Sequence, residues 1–295
     1  MRQIVHFGLG NFARAHLLDY TADAGGDWQV IGVNLRSSTT RDGLAAQDYA
    51  YALKVQGVGV KQIAVINTIL LASEGQQPIL QAMANADIIS ATVTEKGYHL
   101  DQHGQLDLQD PVIAADLTDL PLRSLIGFIA HDLAQRDRPV TILSCDNRPG
   151  NGDALRQAVQ QFAQAAHLTI DWSLARFPNA MVDRITPATT DPIRQECKDP
   201  MAVPTEAFRE WVIEDCFAGP RPDWPDVQFV QDVRPHELRK LRMLNGAHSF
   251  LAYAGLARGY DFVHEAISDP QLRHQALSLM REAGATLPQD IQDQV

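Results

Sequence analysis

The sequence has few cysteines, no excess of positive charge and no long uninterrupted apolar stretch. Neither a disulfide scaffold nor a Cys/His zinc site is expected, because there is no CxxC pair and the only cysteines are Cys145, Cys197 and Cys216. The net charge of −11 argues against a nucleic-acid or anionic-membrane partner. The most apolar stretch, residues 243–257, contains Asn245 and His248 and is shorter than the roughly 18 apolar residues that a membrane span needs.

The remaining composition is that of a globular protein with a sizeable core. The chain has 295 residues, of which 45% are hydrophobic and 21% charged, and this length suggests about two domains. Because the sequence starts with the strand-like MRQIVHFG, we expect no signal peptide. Widely spaced cysteines are typical of reduced thiols inside the cell. We therefore expect a cytoplasmic protein.

Short apolar runs alternate with helix-like segments over the first half of the chain. Strands are predicted at 4–8, 28–35, within 61–72 and at 140–147, and helices at 11–24, 124–136 and 151–167, with 77–95 a helix that runs into a strand. Such alternation predicts an α/β fold, a Rossmann-like doubly wound parallel sheet with helices on both faces. Asn151 or Asp153 is placed to cap the helix at 151–167.

A change of pattern near residue 230 predicts the domain boundary. A proline-rich region between Pro178 and Pro235 contains the strand-like REWVIEDCF and VQFVQDV, and the pattern is helical at 235–257 and 269–284. We expect residues 1–230 to form the dinucleotide-binding domain and residues 231–295 to form an α-helical substrate and catalytic domain.

The segment HFGLGNFARAH has the G-x-G-x-x-G/A spacing of a dinucleotide site, formed by Gly8, Gly10 and Ala13. This spacing is weak evidence alone, but here it follows a strand and opens a helix, which is the context it requires. Gly8 permits the tight turn, Gly10 lets a pyrophosphate approach the backbone, and Ala13 lets helix and strand pack closely. The helix N-terminus, with Asn11 and Phe12, then faces the phosphates.

The end of the second predicted strand leaves the choice between NAD and NADP open. An acidic residue about 20 positions after the glycines normally binds the adenosine ribose, but this strand ends in VNLRSSTTRD. Arg36 could stack on adenine, pair with a 2′-phosphate, or lie in solvent as an ordinary surface arginine.

The segment KLRMLNGAHS places Lys240, Asn245 and His248 in a stretch that is otherwise typical of a buried helix. At 3.6 residues per turn they lie at 0°, about 140° and about 80°, on one broad face shared with Leu241 and Leu244. A lysine shielded from water there could act as a base toward an alcohol. On periodicity alone, Lys240 is equally a boundary lysine that reaches solvent, and His248 a satisfied core histidine.

Uncharged amides suit a developing alkoxide, since they donate hydrogen bonds without carrying charge. Asn245 supplies one such amide. Asn147 could supply another, because it ends a sheet strand at the carboxyl edge, where open α/β sheets bind ligands. Glu237, one turn before Lys240, is by default a surface ion-pair partner.

Taken together, these segments resemble the mannitol dehydrogenase family, the polyol-specific long-chain dehydrogenases that include fructuronate and tagaturonate reductases. The resemblance covers essentially the whole chain and rests on six segments in the family's order: GLGNFARAH, TVTEKGYH, SCDNRPGNG, FPNAMVDRITP, WVIED and K-x4-N-x2-H. It implies a Rossmann domain followed by a helical domain that is truncated here, because chains of this family run well past the equivalent of residue 295. It also implies a monomer.

The resemblance implies a role for each matching residue. Lys240 is similar to the family's general base, Asn147 and Asn245 to the amides that hold the alkoxide, and His248 to a residue that orients a substrate hydroxyl. Glu237 resembles the glutamate that gates proton exchange with solvent. Asp183 would face a substrate hydroxyl, with Arg184 as structural support. Thr94, in TVTEKGYH, joins the cofactor-binding residues.

The function so implied is a metal-free, NAD(P)-dependent secondary-alcohol dehydrogenase. It would interconvert a sugar alcohol or aldonate with its keto form, with NAD as cofactor, NADP left open and a small sugar alcohol or sugar acid as the only partner. The alternative is a cofactor-binding protein without turnover, because the segment that completes the substrate pocket in the family lies beyond the end of this sequence.

Overall fold

The computed structural model describes residues 2–118 and 121–292, and its contacts divide the chain into two compact units that meet in sequence between Gln231 and Asp232. Within these described ranges, all strands lie in the first unit. In chain order they are β1 (Arg2–Phe7), β2 (Trp28–Asn34), β3 (Tyr51–Val55), β4 (Gly59–Ile63), β5 (Ile66–Leu71), β6 (Ile88–Ala91), β7 (Val140–Ser144), β8 (Ala175–Arg176), β9 (Ala180–Asp183), β10 (Val203–Thr205), β11 (Glu210–Glu214) and β12 (Gln228–Val230).

Six strands form the central parallel sheet, in the order β5-β2-β1-β6-β7-β8. The chain leaves β1 toward β2 on one side and later returns to β6 on the other, so the order reverses between β1 and β6. Open α/β sheets bind ligands in the crevice at such a switch point, outside the carboxyl ends of the strands. The sheet therefore confirms the predicted fold class and sets the place of the candidate site.

Helices and buried apolar side chains cover both faces of this sheet. The helices of the first unit are α1 (Asn11–Ala15), α2 (Leu17–Ala24), α3 (Thr39–Ala45), α4 (Gln77–Asn85), α5 (Pro111–Thr118), α6 (Leu125–Gln135), α7 (Asn151–Ala165) and α8 (Asp191–Cys197). Successive residues of a strand point to opposite faces. Accordingly Ile4 packs into one apolar cluster, around α2 and Trp211, and Val5 into the other, around α6 and α7.

Two smaller sheets extend the first unit. One has the order β10-β3-β4, and the other, in the proline-rich region, has the order β12-β11-β9 with β11 antiparallel to β9. Both are joined to the region after β1 by an ionic cluster around the buried carboxylate of Asp19, which binds Arg184 at 2.5 Å, Lys61 at 2.6 Å and Arg209 at 2.8 Å. Arg184, which directly follows β9, thus contributes to this ionic cluster.

The second unit is helical. Its elements are α9 (Arg234–Arg239), a π-helical turn (Lys240–Asn245), α10 (Gly246–Leu256), α11 (Val263–Ala266), α12 (Pro270–Gly284) and α13 (Gln289–Gln292). Gly255 allows α10 to approach α11 closely, since a Cβ there would lie 2.7 Å from the Cβ of Ala266. Met243 packs against Leu287 and Ile291. No helix of the described residues is both long and apolar enough to cross a membrane.

Three local predictions differ from the structure. The helix predicted at 11–24 is broken at His16, whose φ of −117° and ψ of −87° are not helical. The apolar run 61–72 forms parts of two strands, β4 and β5, which belong to different sheets. Neither Asn151 nor Asp153 is the N-cap residue of α7, which is Gly150. The Asn151 side chain instead bonds the carbonyl groups of Asp146 and Ala180, at 3.0 and 2.8 Å.

Candidate functional site

A crevice of about 420 Å³ opens at the switch point between β1 and β6. Four of the residues predicted to bind the cofactor line it: Gly8, Gly10, Arg36 and Thr94. They come from the turns that follow β1, β2 and β6, which are neighbouring strands of one sheet. The crevice thus has the position and the lining that a dinucleotide site of this fold requires.

The turn after β1 can be made only by glycine at position 8. Gly8 has a φ of +86°, and a Cβ on it would lie 2.2 Å from the carbonyl oxygen of Thr92. At Gly10 the space is open, since the nearest atom to a Cβ would be the Gly8 oxygen at 3.9 Å. The side-chain oxygen of Asn34, at the end of β2, accepts from the N–H of Leu9 at 3.3 Å. The turn is therefore held in a shape that leaves room beside Gly10 for a phosphate.

A buried histidine ties this turn to β6. His6 lies fully inside the sheet, with Nδ1 2.9 Å from the Ser90 hydroxyl and Nε2 3.0 Å from the Thr92 hydroxyl. The Thr92 hydroxyl itself donates to the Gly8 carbonyl at 2.7 Å, so its oxygen accepts from Nε2–H and Nδ1 accepts from Ser90. Burial lowers the pKa of His6 to about 3. The imidazole therefore stays neutral, and each ring nitrogen keeps its role as donor or acceptor.

The three predicted residues after the turn belong to α1, and their side chains contact protein. Ala13 is fully buried in the core. Phe12 stacks on His16, with ring centroids 5.0 Å apart, and the Asn11 side-chain oxygen accepts from Arg14 at 2.7 Å. What α1 can offer a ligand is its main chain, because the first N–H groups of a helix have no acceptor within the helix.

The rim of the crevice beside β2 is uncharged or basic. Arg36 is exposed there, next to Ser37 and Thr40. Among the described residues that line the crevice none is acidic, whereas Lys96 and Arg123 add positive charge. The rim fits a polyanionic ligand, and it has no carboxylate of the kind that binds a ribose 2′-hydroxyl.

The segment 92–99 forms the wall of the crevice on the β6 side. Thr94 has a φ of +65°, which is unusual for a residue with a branched side chain. Behind it Tyr98 is buried and its hydroxyl bonds that of Ser144 at the end of β7. The Nδ1 atom of His99 lies 3.0 Å from a carboxylate oxygen of Asp110. Strained backbone that is held by buried partners is common at binding sites.

Asn147, predicted to be catalytic, and Asp183, predicted to bind substrate, each lie at the end of a strand of the first unit. Asn147 is exposed and follows β7, and Asp183 is half-buried and ends β9. Asn151 connects their two strands, because its amide bonds the Asp146 and Ala180 carbonyl groups and its oxygen accepts from the Ala180 N–H at 2.9 Å.

The other four predicted catalytic residues lie in a single helical stretch of the second unit. Glu237, Lys240 and Asn245 are half-buried and His248 is exposed. The stretch changes from α9 to the π-helical turn at Lys240, and the N–H of Gly246 donates to a carbonyl five residues earlier, that of Leu241. Single π-helical turns within α-helices are rare and are frequent at functional sites.

The π-helical turn corrects the geometry expected for this helix. Where each N–H bonds the carbonyl five residues earlier, one turn takes about five residues. Asn245 therefore lies about one turn beyond Lys240 on a similar side of the helix, rather than about 140° around the axis. The leucines predicted to share a buried face, Leu241 and Leu244, are 52% and 48% exposed, and Met243 is the buried residue. Lys240 therefore stands on a face that is only partly covered.

Several residues of the site were not singled out from the sequence. Asn34 and Thr92 hold the glycine turn through side-chain bonds, and Asp146 holds the wall segment. Polar residues directly after buried strands, as in VNLRS, SATVT and LSCDN, were the available signal, since such residues meet at the carboxyl edge of the sheet. No group of three His, Cys, Asp or Glu side chains that could bind a metal ion occurs among the described residues.

Comparisons with known proteins agree with this architecture. Residues 2–226 match the family described as mannitol dehydrogenase Rossmann domain, and residues 232–295 match the mannitol dehydrogenase C-terminal domain. The chain is 40% identical over 313 residues to the D-mannonate oxidoreductase of Escherichia coli K12, covering 96% of this chain and 64% of that protein. It is 38% identical over 320 residues to the mannitol 2-dehydrogenase of Pyrenophora tritici-repentis, covering 97% and 56%.

A solved structure extends the likeness to three dimensions. The mannitol 2-dehydrogenase of Pseudomonas fluorescens, in a ternary complex with NAD and D-mannitol, superposes with a TM-score of 0.85 at 37% identity, covering 97% of this chain and 65% of that one. The chain thus spans less than two thirds of the length of each of these relatives.

Proposed function

Because the chain belongs to the mannitol dehydrogenase family, we propose that it is an NAD(P)-dependent oxidoreductase that interconverts a sugar alcohol or an aldonate with its keto form. The observation that supports this most strongly is the joint presence of two features. The first unit has a crevice with the glycine turn at its floor, and the second has Lys240 and Asn245 in a π-helical turn. One feature suits a dinucleotide, and the other suits proton transfer at an alcohol.

The crevice residues fit a nicotinamide dinucleotide. The open space at Gly10 would take the pyrophosphate, and the main-chain N–H groups of α1 would bind it. Arg36, on the rim beside β2, would contact the adenosine end, and Thr94 would contact the cofactor from the wall. When bound, the nicotinamide supplies the acceptor or the donor of a hydride. The relative that was solved in complex with NAD supports NAD as the cofactor, and the relatives named for mannitol and mannonate support the substrate class.

In the proposed mechanism, Lys240 is the base that removes the proton from the reacting hydroxyl, and it returns that proton when a keto group is reduced. The side-chain amides of Asn147 and Asn245 donate to the same oxygen, which carries negative charge at the transition state. His248 and Asp183 bind other hydroxyl groups and orient the carbon chain. Glu237 passes the proton between Lys240 and solvent. None of these steps needs a metal ion.

A substrate panel tests the proposal. The purified chain is mixed with NADH or NADPH and a series of ketoses and keto-uronates, or with the oxidised cofactors and polyols or aldonates, and absorbance is followed at the reduced-nicotinamide band. We expect turnover with at least one sugar or sugar acid, at a rate that dialysis against EDTA does not change. Loss of rate with the chelator, restored by a divalent ion, would contradict the metal-free mechanism.

The chain spans less than two thirds of the length of these relatives, and a second candidate function is cofactor binding without turnover. If the chain binds NADH in a titration but turns over no member of the panel, then it is a cofactor-binding protein and the proposed enzyme function is wrong. Binding and turnover are measured on the same preparation, so the two functions are distinguished directly.

A further inference from the structure

A buried carboxylate lies directly behind the wall of the crevice. Asp146 is 7% exposed. Its side chain accepts hydrogen bonds from the N–H groups of Thr94 at 2.8 Å and Val93 at 3.2 Å, and from the Tyr98 hydroxyl at 3.1 Å. All three donors belong to the segment 92–98, of which Thr92, Val93, Thr94, Lys96 and Gly97 line the crevice. Asp146 does not line it.

The main chain of Asp146 is held as firmly as its side chain. Its carbonyl accepts from the Asn151 amide at 3.0 Å and from the Arg148 N–H at 2.8 Å, and its own N–H donates to the Ser144 hydroxyl. Asn147, the proposed amide donor, is the next residue along the chain. The carboxylate is therefore a fixed point between the end of β7 and the wall.

Only a carboxylate satisfies this arrangement. An ionised Asp accepts bonds at both oxygens, whereas Asn would turn an N–H₂ group toward an N–H or a hydroxyl donor. Burial raises the pKa of Asp146, and the bonds from Thr94 and Val93 oppose that rise. Among the described residues no lysine or arginine forms an ion pair with it, so these neutral donors are what keep the charge in place.

We infer that Asp146 is a positioning residue that joins the dinucleotide site to the substrate amide. Its carboxylate holds Thr94 in the positive-φ conformation that forms the wall, and its backbone sets the start of the loop that carries Asn147. A change in the carboxylate should therefore weaken cofactor binding and also slow turnover at saturating cofactor. This inference rests on the proposed function, because it assigns these two roles to the wall and to Asn147.

A second buried carboxylate provides a matched control. Asp199 is 8% exposed and accepts from the N–H groups of Met201 at 2.7 Å and Ala52 at 2.5 Å, and from the Gln47 amide at 2.9 Å. It thus has two main-chain donors and one side-chain donor, as Asp146 has, but neither it nor its donors line the crevice. Asp199→Asn should destabilise the fold in a similar way without altering the wall.

The test compares Asp146→Asn, Tyr98→Phe and Asp199→Asn with the unaltered chain. The NADH affinity is measured by fluorescence titration without substrate, and kcat is measured at saturating NADH. Amide hydrogen exchange is followed over residues 92–98. We expect Asp146→Asn to raise the NADH Kd at least tenfold, to lower kcat at least fivefold and to speed exchange at Thr94. Tyr98→Phe, which removes one donor and serves if Asp146→Asn does not fold, should raise the Kd two- to fourfold. Asp199→Asn should change the Kd less than twofold.

Equal Kd values for Asp146→Asn and Asp199→Asn, at equal loss of thermal stability, would overturn the inference, since Asp146 would then be an ordinary structural carboxylate. Unchanged exchange at Thr94 in folded Asp146→Asn would overturn it too. If the unaltered chain bound no NADH, the proposed function would fail instead, and with it the functional half of this inference. Exchange at Thr94 would still decide whether Asp146 holds the wall.

Discussion

The glycine turn and the lysine helix are held in place by different means. Around the turn, Gly8 has no space for a side chain, and the His6 and Thr92 side chains complete a buried chain of hydrogen bonds that ends on the Gly8 carbonyl. In the helix, one buried residue of the π-helical turn, Met243, provides the packing, and Lys240 is half-buried.

This difference decides what a substitution in each region can reveal. Close-packed interiors transmit small changes in volume, so a change in the glycine turn should alter stability and ligand affinity together. A partly covered side chain can be shortened with little effect on the fold. Replacement in the lysine helix should therefore isolate its chemical role.

The largest effect is expected at Lys240. Lys240→Ala should lower kcat by about 10²- to 10⁴-fold, which is the usual contribution of a general acid–base group, while the NADH Kd stays within twofold. The measurements are steady-state turnover and fluorescence titration on the same preparation, with Arg242→Ala as the control two residues along the helix. A parallel loss of affinity and turnover in folded Lys240→Ala would refute the separation of the two regions.

Mild acid should destabilise the glycine-turn region through its two buried histidines. Burial lowers the pKa values of His6 and His16 to about 3, from 6.5. The unfolded chain therefore binds more protons than the folded chain between these values, and stability falls as the pH falls below 6.5. At pH 5 each histidine should cost about 2 kcal/mol relative to pH 7, or about 4 kcal/mol together.

Urea unfolding at pH 7 and pH 5 checks this expectation. His16→Gln is the informative variant, because a glutamine amide can keep the bond that His16 Nε2 makes to the Glu210 carbonyl at 3.2 Å, without titrating. Its loss of stability between the two pH values should be smaller by about 2 kcal/mol. An unchanged pH dependence in this variant would show that His16 does not carry the effect.

The glycine turn could be predicted from the sequence because its requirement is local. A positive φ and a close main-chain contact allow only glycine at position 8, and the strand before it and helix after it are visible as periodic patterns. The parallel sheet was predictable for the same reason. The break at His16 was not, since its ring packs not only against its neighbours Phe12 and Tyr20 but also against Trp211, almost 200 residues further along the chain.

The lysine helix was harder to predict because its geometry departs from the standard repeat. A spacing of 3.6 residues put Leu241 and Leu244 on the buried side, but the stretch forms a π-helical turn and both leucines are exposed. Asp146 was missed for a related reason. Its three donors lie about 50 positions earlier in the chain, and no sequence spacing relates them. The resemblance of ordered motifs, rather than periodicity, singled out Lys240.

A pair of glycine substitutions should show how closely space is used in the turn. Gly8→Ala should cost at least about 2 kcal/mol of stability, since alanine is disfavoured at a φ of +86° and its Cβ would meet the Thr92 oxygen. Gly10→Ala should cost about 1 kcal/mol or less but raise the NADH Kd tenfold, because the added methyl takes the space left for phosphate. Thermal unfolding measures the loss of stability in each variant, and NADH titration measures the loss of affinity. A Gly8→Ala chain as stable as the original would contradict the close contact at Thr92.

The smallest effect is expected at Arg36, the predicted cofactor residue on the exposed rim beside β2. An exposed arginine that pairs with a phosphate contributes about 1 kcal/mol or less, so Arg36→Ala should weaken NADPH binding about fivefold and NADH binding less than twofold. The ratio of the two Kd values is the measurement, and high salt should shrink the difference because surface charge pairs are screened. An equal loss for both cofactors, insensitive to salt, would instead mean that Arg36 stacks on the adenine ring.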